Sequence, residues 1–433
     1  MPVVFVPLMA RPVLGIAAAV AVVAVLLASQ SPAYPVALAG IPTIAIALYG
    51  SNPLPKGVIA VGLFAWTLIA IAFVVTADPD LLPTRVLLAP VVTLAIALGA
   101  LMLARLATSP DTSYGTSKLT LYVIQNVTLL VAGIVIGRRR SDFDLWVVAA
   151  LVVAALSGLV LAYTLARGTA QADVGGRYGL SSAENPIQLG REAATGVILA
   201  AFVLLTAKNV SLRIMGLTTM PVVAVALIAS GSRGPALGLL IGLLILVWTT
   251  GRDRAARRRL LLLAIGAVAA ALFVVQLVPG QNIGRAFAFL QGNGSGLSST
   301  GRATYWSHAY ESFANHPITG LGTGGFTSVG AGEVYPHDLL LEVASELGLP
   351  GLVLVVGLLV AGIARIRRAW ALGIGNDRRR VSLVATLFAA ALTNALVSGD
   401  LPTNATLWLM LGLALGLSTL LEDEAGAAGA EPA

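Results

Sequence analysis

The chain has 433 residues, 57% of them hydrophobic and only 11% charged, with a formal charge of +7 and a mean hydropathy of +0.90. A soluble domain carries about 25% charged residues, so this chain cannot clothe a water-facing surface of its size, and a soluble enzyme is excluded. It has no cysteine, which removes disulfides, thiolate metal sites and cysteine nucleophiles and leaves the compartment open.

Apolar runs long enough to cross the ~30 Å hydrocarbon core recur along the chain. Lipid offers an open strand edge no partner, and the period-2 alternation of a membrane barrel is absent. The fold class is therefore an all-α polytopic membrane protein. In chain order, spans are expected at 12–28, 35–50, 57–76, 86–107, 118–137, 144–166, 190–207, 212–230, 234–250, 259–277, 347–364, 381–398 and 404–421. The first also fits a signal peptide ending near Ala28; we read it as a span. The second is short and carries Pro35 and Pro42, so it is half-inserted or merges with a neighbour. The total is 12 or 13 helices. The organisation is about ten spans over 1–277, a large loop at 278–340, three last spans within 341–421, and an acidic tail at 422–433 expected to be disordered.

Orientation follows from where basic residues cluster. Of the 27, 16 lie in four alternate loops: 138–140, Lys208 with Arg213, 252–259 and 365–380. The charge is thus a topology signal and not a sign of a nucleic-acid partner. The intervening loops hold few, and the 63-residue loop 278–340 holds only Arg285 and Arg302. The basic loops are cytoplasmic, so the long loop is extracytoplasmic.

All three histidines, His308, His316 and His337, fall in that loop. From Gly301 it reads GRATYWSHAYESFANHPITGLGTGGF. We expect a short amphipathic helix over about 303–314, with Tyr305 and Trp306 beside the interface, then a Pro/Gly-rich turn. In the following YPHDLLLEVASELGLPG, Pro336 precedes a helix that re-enters the membrane. His337 stands at its start, where a neutral imidazole can act as a general base. A helix-start histidine bonded to a loop carbonyl fits that position equally well. His308 and His316 suit structural roles better.

Arg233, in ALIASGSRGPALGLL, sits between two apolar runs on the outer side, against the orientation bias. A charge at membrane depth costs at least ~2.5–3.5 kcal/mol unless paired, which marks it as a functional candidate; the plain alternative is a snorkelling arginine at a helix end. Arg302, just ahead of the amphipathic helix, is the third candidate, against the default of a solvated charge. Two arginines and a histidine on one face suit a phosphate-bearing substrate, since guanidinium groups bind phosphate oxygens bidentately and keep their charge. No HExxH, P-loop or GxSxG occurs, the Gly-rich run at Gly320–Gly325 follows no strand and reads as a turn, and Asp142-Phe143-Asp144 lies on the cytoplasmic side, so no metal or cofactor is expected.

The two loop strings, in this order, resemble the O-antigen ligase family and the related O-antigen polymerases. SGSRGPALGLL looks like the family's arginine-bearing segment, and RYGLSSAENPIQLG, from Arg177, like its outer segment ahead of a span. The resemblance covers roughly residues 85–365. It implies a GT-C-like fold of about twelve spans in the bacterial inner (cytoplasmic) membrane, with one large periplasmic loop. It also implies glycosyl transfer from a polyprenyl diphosphate-linked glycan, such as an undecaprenyl diphosphate carrier, to a hydroxyl of a glycolipid or cell-envelope acceptor. Carried over, the family's histidine falls on His337, its span-end arginine on Arg233 and its loop arginine on Arg302. His337 would deprotonate the acceptor, the arginines would hold the diphosphate in place of a metal, and a single displacement would invert the anomeric centre. Asp338, Arg177, Arg191, Glu342 and His316 are secondary candidates. The family commonly has His-Asn where this chain has His337-Asp338, and a carboxylate there would hold or bias the imidazole. A polymerase would differ only in its acceptor. From other classes, a non-catalytic scaffold is a further reading, as is a lipid-linked glycan transporter or flippase. The transporter is disfavoured by the lack of an inverted repeat and by a membrane interior poor in acidic pairs.

Overall fold

A computed structural model describes residues 31–38, 56–173, 176–180, 185–250, 302–329 and 334–429. Among these the structure is helical; its one β pairing is an isolated bridge between Ala172 and Tyr178. The expected spans 12–28 and 259–277, most of 35–50 and the basic cluster at 252–259 lie outside the described residues.

The first described helices are α1 (Ala33–Ala37), α2 (Lys56–Ala77), α3 (Thr84–Leu87) and α4 (Pro90–Leu106). The long helices α5 (Thr112–Arg138), α6 (Arg140–Ala166), α7 (Pro186–Thr206), α8 (Val210–Ala229) and α9 (Arg233–Thr250) follow. Then come α10 (Arg302–Asn315), α11 (Leu339–Leu372), α12 (Gly375–Ala395) and α13 (Ala405–Gly429). Among the described residues seven helices are long and apolar enough to cross a membrane, or eight if the bent pair Gly62–Ala77 and Pro79–Leu87 is one span. The protein is thus an all-α polytopic membrane protein.

Between helices in lipid the driving force is close packing of backbones, which needs small residues at the seam. α5 and α13 meet this way. Gly133 and Gly137 face Gly412 and Gly416, and a Cβ built on Gly133 would lie 2.5 Å from the Leu409 carbonyl oxygen. α5, α7, α9, α11 and α13 all begin at one end of the bundle. α5, α6, α11 and α12 bring the arginines of 138–140 and 365–380 to the other, basic end.

The tail expectation is corrected at that basic end. α13 runs on to Gly429 where a disordered tail is expected from 422. Acidic side chains on its last turns meet Arg85 and arginines of the basic loops 138–140 and 365–380. Glu422 pairs with Arg365 and Arg368 at 3.3 and 3.1 Å, Asp423 with Arg85 and, at 3.0 Å, Arg138, and Glu424 with Arg140 at 2.6 Å. These pairs give the polar segment a partner surface, which composition alone does not reveal.

At the opposite end the Gly-rich turn and the start of α11 form one element. α11 breaks at Gly348, whose φ of 68° is left-handed, and Pro350 lacks an N–H. The break frees backbone groups that would be costly if left unpaired. The turn after α10 takes them up: Leu321 N–H donates to Ser345 O and Gly322 N–H to Glu346 O, both at 2.9 Å, and Leu349 N–H donates to Pro317 O at 2.7 Å. Thr323 Oγ1 ties the turn to the Met102 carbonyl of α4 at 2.6 Å. HPITGLGTGG and ELGLPG are therefore two halves of one interlock.

Candidate active site

His337 sits in the short approach to α11 with φ at 60°, a left-handed backbone uncommon for a residue with a side chain. Asp338 follows as the N-cap: its Oδ1 accepts the Leu340 and Leu341 N–H groups, each at 2.9 Å. The oxygen is spent on the helix end, a task asparagine performs equally well, so the exchange of Asn for Asp leaves the cap intact. Burial pushes the Asp338 carboxyl above its ordinary range.

The imidazole is half-buried between two aromatic rings. Tyr335 meets it edge-on with centroids 4.6 Å apart, and Tyr305 of α10 lies tilted at 6.1 Å. Its pKa is lowered to about 4, by burial first and then by the positive charge of Arg302, with Asp400 opposing and Arg191 adding to the depression. At neutral pH this histidine is an uncharged acceptor.

Around it the structure gathers arginines from distant parts of the chain. Arg302 opens α10 and Arg233 opens α9. Each puts a cation at a helix end that already carries positive partial charge, an arrangement that favours an anion. Arg302 is pushed below its ordinary pKa by burial and by repulsion from Arg233 and Arg177. Arg177 is held by Asp173, with Nε to Oδ2 at 2.8 Å. Arg191, in the second turn of α7, donates from one guanidinium nitrogen to Ser398 O at 2.8 Å and from another to Thr403 O at 3.1 Å. It therefore fastens the segment between α12 and α13 while remaining in electrostatic reach of His337.

Two secondary candidates have other surroundings. His316 is exposed at the far end of α10, about 20 Å from Arg302 at ~1.5 Å per helical residue. Glu342 is 1% exposed; both its oxygens accept the Leu401 N–H, at 3.1 and 2.9 Å, and it pairs with Lys118.

The sequence reading passes over several residues here. Asp400, 6% exposed, accepts from Tyr114 Oη at 3.2 Å and from the Thr403 N–H at 3.1 Å, and its charge acts on His337. Lys118 is 2% exposed and pairs with Glu346 at 2.6 Å as well as with Glu342. Buried acidic side chains are thus present in a part of the chain expected to be poor in them. A signal for Lys118 existed: like Arg233, it is a cation at the end of an apolar run that lies away from the basic loops. Among the described residues no group of three or more histidine and acidic side chains is arranged to hold a metal ion.

No curated protein matches the chain. A family model described as O-antigen ligase matches residues 217–356. That match spans α9 with Arg233, α10 with Arg302, the interlocked turn, and His337 with the start of α11. The stretch that carries the three primary candidates is thus the part of the chain that is similar to the O-antigen ligase family.

Proposed function

We propose that this protein transfers a glycan from a polyprenyl diphosphate carrier to an acceptor hydroxyl, on the extracytoplasmic side of the bacterial inner membrane. The observation that carries this reading is an uncharged histidine within reach of several guanidinium groups. His337 removes the acceptor proton as its oxygen attacks the anomeric carbon. Arg302 and Arg233 hold the diphosphate and stabilise the charge that grows as it leaves, the task a divalent cation performs elsewhere. One displacement with no covalent intermediate inverts the anomeric centre. The acceptor is a glycolipid, a cell-envelope component or a second carrier-linked glycan; the last would make the enzyme a polymerase. The test is transfer by purified protein in lipid nanodiscs with a lipid diphosphate-linked glycan donor. Activity is expected to persist in EDTA. Loss on chelation with recovery on adding Mg²⁺ or Mn²⁺ would assign the diphosphate to a metal.

The depressed His337 pKa sets a pH signature. The acid limb of kcat/KM reports the free enzyme and that of kcat the substrate complex. With His337 lowered to about 4, kcat/KM is expected to hold from neutrality down to about pH 5 and then fall. A bound diphosphate brings negative charge beside Arg302 and offsets its repulsion, so the pKa rises in the complex. The kcat limb is therefore expected at higher pH than the kcat/KM limb. A kcat/KM limb at 6.5 would show that neither burial nor the arginines depress this imidazole.

A further inference from the structure

Lys118, Glu342 and Glu346 form an ion cluster that no step above uses. All three are 2% exposed or less. Charges so deep in a bundle are expensive, and here each carboxyl does more than pair. Glu342 accepts the backbone N–H of Leu401, the neighbour of Asp400. Glu346 Oε2 accepts the N–H of Gly324, in the turn that plugs the Gly348 break, at 2.9 Å. Both carboxyls project from the first three turns of α11, shortly after His337 and its Asp338 cap. Lys118 on α5 lies between them and also sits 5.9 Å from the centre of the Tyr114 ring, whose hydroxyl donates to Asp400. One ammonium therefore gathers three pieces: the start of α11, the Gly-rich turn, and the segment carrying Asp400 and the carbonyls that hold Arg191.

We propose that Lys118, Glu342 and Glu346 are positioning residues for His337, setting the imidazole against Arg302, Arg191 and Asp400 by fastening two backbone N–H groups to the start of α11. The proposal rests on the reading of His337 as the base. Among the described residues, Arg302, Arg191, Asp400, Tyr305 and Tyr335 face the imidazole. Glu342 reaches the Leu401 segment without acting on His337 directly.

The experiment is an NMR titration of full-length protein in nanodiscs with ¹⁵N-labelled histidine. The chain has only 3 histidines, and His337→Gln assigns the signal. One ammonium faces two carboxyls, so Glu342→Ala leaves Lys118 with Glu346 as a one-to-one pair, and His308 and His316 report that the fold is intact. In Glu342→Ala the tie to Leu401 is gone, the imidazole leaves its buried place, and its midpoint is expected to rise by at least about one unit towards the ordinary value near 6.5. Glu342→Gln keeps an oxygen for the Leu401 N–H, and its midpoint is expected within about 0.3 units of wild type, well inside one such shift. The sign discriminates, because losing a negative charge would by itself lower a histidine pKa. A midpoint unmoved in Glu342→Ala, or moved equally in both variants, overturns the proposal. Glu346→Ala and Glu346→Gln repeat the comparison through Gly324 and decide it should Glu342→Ala not fold. The readout needs no transfer. If His337→Ala transferred glycan at full rate, the base assignment would fail while the positioning result stood.

Discussion

His337→Ala is expected to slow transfer by about 10²–10⁴, the usual worth of a positioned general base, while leaving donor binding nearly unchanged. The imidazole addresses the acceptor hydroxyl, and the arginines address the phosphates. His337 occupies a left-handed backbone position, φ 60°, so part of any alanine effect could come from a shifted loop. Asparagine tolerates that conformation better than other residues with side chains, so His337→Asn removes the imidazole while keeping the backbone. Equal losses in both variants, with donor affinity intact, assign the effect to the lost base. Abolished donor binding in His337→Asn would mean the histidine belongs to the diphosphate site.

Arg302→Ala and Arg233→Ala are expected to lower donor affinity and rate together, by about 10²–10³ in kcat/KM each, as for removal of one oxyanion-stabilising donor. Each cation is set at a helix start, and Arg302 lies in a field already made repulsive by Arg233 and Arg177; a bound anion relieves that repulsion. Lysine at either position should restore only part of the loss, because an ammonium lacks the planar fork. Arg302→Ala carries a second signature. Its charge depresses His337, so its removal should move the histidine midpoint upward. Donor binding by equilibrium titration, single-turnover transfer and the histidine titration check all three. Wild-type donor affinity in both arginine variants would place the diphosphate elsewhere.

Most of the fold is legible because apolar runs report lipid contact directly. What escapes is helix that continues beyond the apolar run. α5 is expected from 118 and begins at Thr112. The added turns, TSYGTS, are mostly polar and exposed, start from the Asp111 cap on the Tyr114 N–H at 3.0 Å, and press Gly115 onto the Thr323 carbonyl. α13 likewise outruns its apolar run because Glu422, Asp423 and Glu424 find arginines. The candidate site is legible where a residue stands out of place: Arg233 between two apolar runs, away from the basic loops, and a histidine at a helix start. Arg191 and Ser398 meet 207 positions apart, and Lys118 and Glu346 228 apart. No local pattern announces such meetings. The partners of Glu342, Lys118 and Leu401, likewise come from other helices or their connections.

The acidic turns of α13 bear on how the chain is made. Residues 422–424 leave the ribosome after every arginine they pair with, from Arg85 to Arg368. Orientation is decided by lysine and arginine, with acidic residues contributing little, and synthesis runs from the N-terminus. The arginines are therefore bare while they retain the basic loops on their side of the bilayer, and meet their carboxylates only once α13 has been laid down. The same charges serve twice in time, first as a brake on translocation and then as the catch that closes the finished bundle.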